Sequence, residues 1–169
     1  MREAAKPALE KLDELGIKYY YYEHPLAKTM EDCEGIGADV GAKHFKNIYA
    51  CDHTETNFFI IRADKKFRTS EVSRKLGVSR LSFCTDEMLQ ENLGVVSGAV
   101  TPLALMNDKE HNTLLVVDKD ILRDEMVCCH PLTSDATVAM HRYDLIKFVR
   151  ACGNEIKFLD IGDGEHPEE

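Results

Sequence analysis

The chain has 169 residues, 44% of them hydrophobic and 30% charged, with a formal net charge of −9. This is the make-up of one globular domain with a sizeable core, and it excludes a disordered or fibrous chain. The acidic balance argues against a generic nucleic-acid binder, and no apolar run reaches the roughly 18 residues of a membrane span.

In chain order, Ala5, Leu9, Leu12 and Leu15 recur at helical spacing and predict an amphipathic helix stopped by Gly16. Ile17 to Tyr22 (IKYYYY) is aromatic-rich and predicts a strand, closed by Glu23-His24-Pro25. Thr29 and Asp32 are spaced as a capping box, so a short helix is expected from Thr29, ended by glycines 35, 37 and 41. Lys46–Cys51 and Asn57–Arg62 predict a hairpin turning at Asp52 to Thr56. Helices are expected at Ser70–Leu76, ended by Gly77, and after Thr85, ended by Gly94. Between them Arg80–Phe83 predicts a short strand.

Beyond the loop at 98–102, Thr113–Val117 (TLLVV) is continuously apolar and predicts a buried strand. A turn of helix is expected within Asp118–Asp124, and strands at Met126–Cys129 and Thr137–Met140. Leu145, Ile146, Phe148, Val149 and Cys152 mark a helix face closed by Gly153, and Glu155–Ile161 predicts a last strand. Helices and strands mix without a strict βαβ rhythm. The expected fold is a single α/β domain over residues 1–161, a mixed and largely antiparallel sheet flanked by helices. An acidic, disordered tail is expected over 162–169.

The six cysteines form no C-x-x-C, and the N-terminus MREAAKPALEKL has no secretory character. Reduced thiols in a cytoplasmic protein are therefore expected, with no membrane contact. Cys128, Cys129 and His130 are poorly spaced to share one metal, so neither metal nor cofactor is expected. Charge is uneven along the chain. Between Lys43 and Arg80 nine basic residues face four acidic ones, a local basic segment suited to one end of an RNA, or a solvated face with chance clustering.

The stretch GVVSGAVTPLALMND (94–108) places Gly98 and Pro102 at either end of a short loop. Glycine permits φ > 0 and proline fixes φ, so such a loop can aim several N–H groups at one point. On spacing alone an ordinary turn is the simpler reading. There is no G-x-S-x-G motif and no convincing Ser-His-Asp set.

GAVTP followed by LALMND, then HPLTSDATVAM about 22 residues later, with HFKNIYACD before both, resembles the prolyl-tRNA editing superfamily in order and spacing. The similarity runs from about Tyr20 to Gly153, and the free-standing ProX-type deacylases are the most similar branch. The resemblance implies the same α/β architecture and a trans-editing hydrolase that deacylates alanyl-tRNA(Pro). It implies that Lys46, with Lys43 beside it, grips the phosphate of the terminal adenosine. Amides of the loop Gly98, Ala99, Val100, Thr101 and Pro102 would hold the ester carbonyl and position water. His130 and Pro131 would shape the amino-acid pocket, and His24 would line the site, although residue type alone makes His24 a strand-end residue. The implied partners are the acceptor end of mischarged tRNA(Pro) and prolyl-tRNA synthetase. A cysteinyl- or seryl-tRNA deacylase, or a non-catalytic aminoacyl-tRNA sensor, are the alternatives. Ser134-Asp135 stands where many relatives carry Asn-Thr, which bears on the amino-acid preference.

Overall fold

The computed structural model describes residues 1–27, 31–54, 57–62 and 68–161. Thr29, Lys65, Lys66, the end of the 52–56 turn and the 162–169 tail lie outside them.

Nine strands and four α-helices are present among the described residues. The strands are β1 (Tyr19–Glu23), β2 (Lys43–His44), β3 (Lys46–Cys51), β4 (Asn57–Arg62), β5 (Ser82–Phe83), β6 (Thr113–Asp118), β7 (Met126–Cys129), β8 (Ala136–His141) and β9 (Ile156–Leu159). The helices are α1 (Lys6–Glu14), α2 (Thr69–Leu76), α3 (Asp86–Leu93) and α4 (Arg142–Cys152). The α/β class is as expected, but the strands divide into two mixed sheets, ordered β1-β8-β7-β2 and β5-β3-β4-β6-β9.

The division falls at one residue. Lys43 and His44 pair parallel with Val127 and Cys128 in the first sheet, whereas Lys46 pairs antiparallel with Arg62 in the second. Buried Phe45 is the pivot between them. In sequence KHFKNIYAC reads as one extended run, so periodicity does not reveal the change of partner.

Alternation along the strands sets the layers. Tyr49, Phe59, Ile61, Leu115 and Val117 point from the second sheet into the main core, and Val127, Cys129, Val138 and Met140 do so from the first. Leu9 and Leu12 of α1, Leu89 and Leu93 of α3, and Leu145, Phe148 and Val149 of α4 fill the same core. The second sheet's other face, with Phe58, Ile60 and Val116, packs on Val72 of α2 and Leu81. On the first sheet's other face Cys128 and Ala139 pack with Ala42.

Local chemistry accounts for the helix ends. The Thr85 hydroxyl accepts the Met88 N–H at 3.2 Å, with Asp86 and Glu87 in the first turn. His141, not foreseen as a cap, accepts the Tyr143 N–H on Nδ1 at 3.2 Å to start α4. Among the described residues of the short helix expected before Gly35, Glu31–Cys33 form a single 3-10 turn, and the sequence pattern assigns no element to 102–107. Pro102–Asn107 forms a longer 3-10 helix, capped by the Thr101 hydroxyl accepting the Leu103 N–H at 3.3 Å.

Candidate active site

A cavity of about 280 Å³ opens beside the pivot between the two sheets. Lys46, Asn47 and Ile48 line it from β3, and Ser97, Gly98 and Val100 from the loop after α3. Cys128, Cys129 and His130 line it from the end of β7, and Thr137 from β8. Lys46, Gly98, Val100 and His130, spread over 84 residues of sequence (46 to 130), thus share one wall system.

The histidines are fixed by their partners. His130 Nδ1 lies 2.8 Å from the Ala136 carbonyl, which only accepts, so Nδ1 carries the hydrogen. Nε2 is left as an acceptor and meets the Cys33 thiol at 4.0 Å. Burial holds the His130 imidazole below the ordinary histidine pKa; the Ala136 carbonyl opposes this, and nearby His24 and His44 add to it. His130 is therefore neutral at pH 7, with a basic nitrogen in the cavity wall. His24 does not line the cavity. Its Nδ1 donates to the Pro25 carbonyl at 2.8 Å, so Nε2 accepts from the Thr137 hydroxyl at 2.9 Å and orients that wall residue. The two rings are 6.1 Å apart.

The loop is built differently from the sequence expectation. Gly98 is not left-handed; Ser97–Ala99 is one 3-10 turn, and the Ala99 N–H donates to the Val96 carbonyl at 2.9 Å. A methyl group at Gly98 would meet only the Ala27 carbonyl and Ser134, all at 3.9 Å. Backbone geometry and protein packing therefore do not demand glycine, and its effect is to keep the cavity wall low. Ala99, Thr101 and Pro102 are buried and face the core. Thr101 also hydrogen-bonds the Cys129 sulfur behind the cavity.

Pro131 is buried, and Lys43 is exposed on β2; neither lines the cavity. Leu132 sits at φ +68°, a strained conformation for a branched side chain, in the turn linking β7 to β8. That turn is clamped from outside. Arg2 pairs with the Asp135 carboxylate at 3.3 Å, the Thr133 hydroxyl donates to Asp135 at 2.7 Å, and the Ala27 N–H donates to the Ser134 carbonyl at 3.0 Å. Asp135 is thus a clamp on the pocket's supporting turn.

Sequence reasoning missed Cys33, His44, Asn47, Ser97 and Cys128 as cavity residues. His44 and Asn47 flank Phe45 and Lys46, and the change of sheet at Phe45 is what brings both to the wall. Cys33 carries no local signal, because the whole 31–42 segment delivers it. Burial raises the pKa of the Cys33 thiol and pushes that of Cys128 up to about 12, so both are protonated and neither is a ready nucleophile. Among the described residues no group of three His, Cys, Asp or Glu side chains is placed to hold a metal ion.

Residues 24–148 match the family profile of the aminoacyl-tRNA editing domain. The prolyl-tRNA editing protein ProX of Acetoanaerobium sticklandii is 32% identical over 161 residues, covering 94% of this chain and 98% of that protein. Prolyl-tRNA synthetase associated domain-containing protein 1 of Danio rerio is 32% identical over 143 residues, 83% of this chain and 78% of its own length. A crystal structure of a proposed trans-editing enzyme for prolyl-tRNA synthetase superposes with a TM-score of 0.71 at 18% identity, covering 96% of this chain and 99% of that one, which shows the shared fold. The chain belongs to the aminoacyl-tRNA editing domain family, enzymes that deacylate mischarged tRNA.

Proposed function

We propose that this chain is a free-standing trans-editing deacylase that hydrolyses alanyl-tRNA(Pro). The observation that carries this reading is the convergence of Lys46, Gly98 and His130 on one cavity of about 280 Å³. Residues 1–161 constitute the deacylase domain and 162–169 an acidic extension. The protein is cytoplasmic, with prolyl-tRNA synthetase as the source of the mischarged RNA.

In this reading Lys46 holds the phosphate of the terminal nucleotide as a compact point charge. N–H groups of the Gly98–Val100 turn other than that of Ala99 polarise the ester carbonyl and stabilise the oxyanion. A water oxygen adds to the carbonyl carbon, and the bond to the ribose oxygen breaks. That oxygen takes up a proton, releasing alanine and intact tRNA. Water is the nucleophile because the cavity thiols are held protonated. The neutral Nε2 of His130 accepts a hydrogen bond from the substrate's α-ammonium group, and Thr137 and Cys129 close the pocket around a short side chain.

The need for such a site follows from selectivity. A synthetase pocket sized for proline gains only about 1–3 kcal/mol per missing methylene against alanine, whereas a smaller second pocket rejects proline by clash. Lys46→Ala tests the assignment of the cavity. Alanine release from alanyl-tRNA(Pro) should fall about 10- to 100-fold, the loss of one charge-assisted contact, with the circular dichroism spectrum unchanged. Full activity in the folded variant would remove Lys46 from the site.

A further inference from the structure

The turn that follows His130 is held from outside by one arginine. Arg2 Nε donates to the Asp135 carbonyl at 3.4 Å and pairs with the Asp135 carboxylate at 3.3 Å. Arg2 Nη2 donates to the His24 carbonyl at 3.4 Å. The Arg2 backbone N–H donates to the Tyr21 hydroxyl at 2.9 Å, which anchors the residue on β1 separately from its guanidinium. A guanidinium is a planar fork of donors, so it fixes acceptors on two chain segments at once. Those segments are the end of β1 and the β7–β8 turn, joined at the same place by the His24 N–H donating to the Asp135 carbonyl at 3.1 Å.

Both segments lead to the cavity. On the first, His24 orients the Thr137 hydroxyl, and the Ala27 carbonyl lies beside Gly98. On the second, Ser134 lies beside Gly98, and the Ala136 carbonyl holds His130 Nδ1 at 2.8 Å. Asp135 stands between Ser134 and Ala136, so a shift of Asp135 moves the low wall and the imidazole together. The turn also needs holding, because Leu132 keeps its φ of +68° only while its surroundings enforce it.

Charge acts on the same imidazole. His130 is faced by His24 beyond β1, His44 on β2, Cys33 in the 31–33 turn, Cys128 on β7, Lys46 across the cavity and Asp135 in its own turn. His24 and His44 hold the His130 pKa down, and Asp135 raises it. Arg2 pairs with that carboxylate and offsets its charge.

We infer that Arg2 is a positioning residue for the deacylation: its guanidinium locks the end of β1 to the β7–β8 turn and so sets the place of His130 and of the wall around Gly98. This rests on the editing reading above. Arg2 does not line the cavity and acts through Asp135.

The test is the pH profile of kcat/KM for alanyl-tRNA(Pro) in wild type, Arg2→Ala, Arg2→Lys and Asp135→Asn. On the level part of the profile Arg2→Ala should be about tenfold slower, and Arg2→Lys should recover part of that loss. The acid limb carries the distinguishing signal. Arg2→Ala leaves the Asp135 charge unopposed, so His130 protonates more readily and the limb moves to higher pH. Asp135→Asn removes that charge, so the limb moves to lower pH. Arg2→Lys keeps the charge and the wild-type limb. Should Arg2→Ala fail to fold, the His130 imidazole titration followed by NMR in wild type, Arg2→Lys and Asp135→Asn decides, with the same signs. A merely structural clamp would lower the Tm of Arg2→Ala and Asp135→Asn without moving their limbs apart. Limbs that coincide with wild type would therefore overturn the positioning role and leave the editing reading intact. No alanine release by wild type would overturn both.

Discussion

At the scale of single residues, the site depends on which hydrogen sits where. Burial keeps His130 neutral, so its Nε2 lone pair is available near pH 7 and is lost on acidification. The kcat/KM for alanyl-tRNA(Pro) should be level above pH 6.5 and fall at lower pH, with an apparent pKa below the ordinary histidine value. Stability carries the same sign. Because the folded pKa lies below the unfolded one, the unfolded chain takes up the proton first as pH falls through about 6.5. His130 thus stabilises the fold above that pH, and its contribution fades as pH drops towards the folded value. His130→Gln should flatten this part of a Tm-against-pH profile; an unchanged profile would show that the imidazole is not titrating there. Gly98 gives a complementary test. A methyl group has only ordinary 3.9 Å contacts to meet, so Gly98→Ala should fold with unchanged Tm. Deacylation should nevertheless drop roughly 10- to 100-fold if the low wall admits the ester, since small displacements at the reacting centre are costly.

At the scale of elements, the cavity exists because the chain changes sheets at Phe45. The second sheet is braced near its far end by a buried polar group. Asn154, after α4, donates to the Asp108 carboxylate at 2.8 Å and to the Thr113 carbonyl at 2.9 Å, and Asp108 also accepts the Thr113 N–H at 2.9 Å. Through the Thr113 hydroxyl this network reaches the Tyr49 hydroxyl at 3.2 Å, on the strand that forms the cavity wall. Asn154→Ala removes both of these buried hydrogen bonds, although Asp108 keeps the Thr113 N–H, and should cost about 1–3 kcal/mol in urea unfolding. A change below half of that range would show that water or a shifted neighbour replaces the amide. Most elements were legible in sequence, because capping residues, glycine stops and alternation are local signals. Thr85, Gly94 and Gly153 mark their helix ends as expected. What local patterns did not carry were partner choice and delivery from a distance. The split into two sheets, the arrival of Cys33 and the clamp on Ser134-Asp135 by Arg2 and Ala27 all depend on residues far away in sequence. Lys46, Gly98 and His130, which line one cavity, were singled out through the resemblance of their motifs. Residue type alone left Lys46 a surface lysine and the Gly98 loop an ordinary turn.

At the scale of the whole molecule, an acidic protein must still hold an RNA end. Part of the basic Lys43–Arg80 segment is occupied internally: Lys75 pairs with Glu71 at 3.2 Å and donates to the Asp160 carbonyl. In the proposed reading the RNA therefore meets fewer cations than the count in sequence, and the salt dependence should be modest. At subsaturating alanyl-tRNA(Pro), kcat/KM should fall with added salt, each phosphate contact adding about 0.7–0.9 to the slope of log K against log salt. A flat response would show that this face does not meet phosphate. The central claim, a small second pocket that takes alanine and refuses proline, is tested most directly by the rates of amino-acid release from alanyl-, seryl-, cysteinyl- and prolyl-tRNA(Pro), measured side by side with wild-type protein. The account predicts rapid release of alanine and none of proline above the uncatalysed rate. Preferential hydrolysis of seryl- or cysteinyl-tRNA(Pro) would reassign the pocket, and equal hydrolysis of prolyl-tRNA(Pro), or no hydrolysis at all, would contradict it.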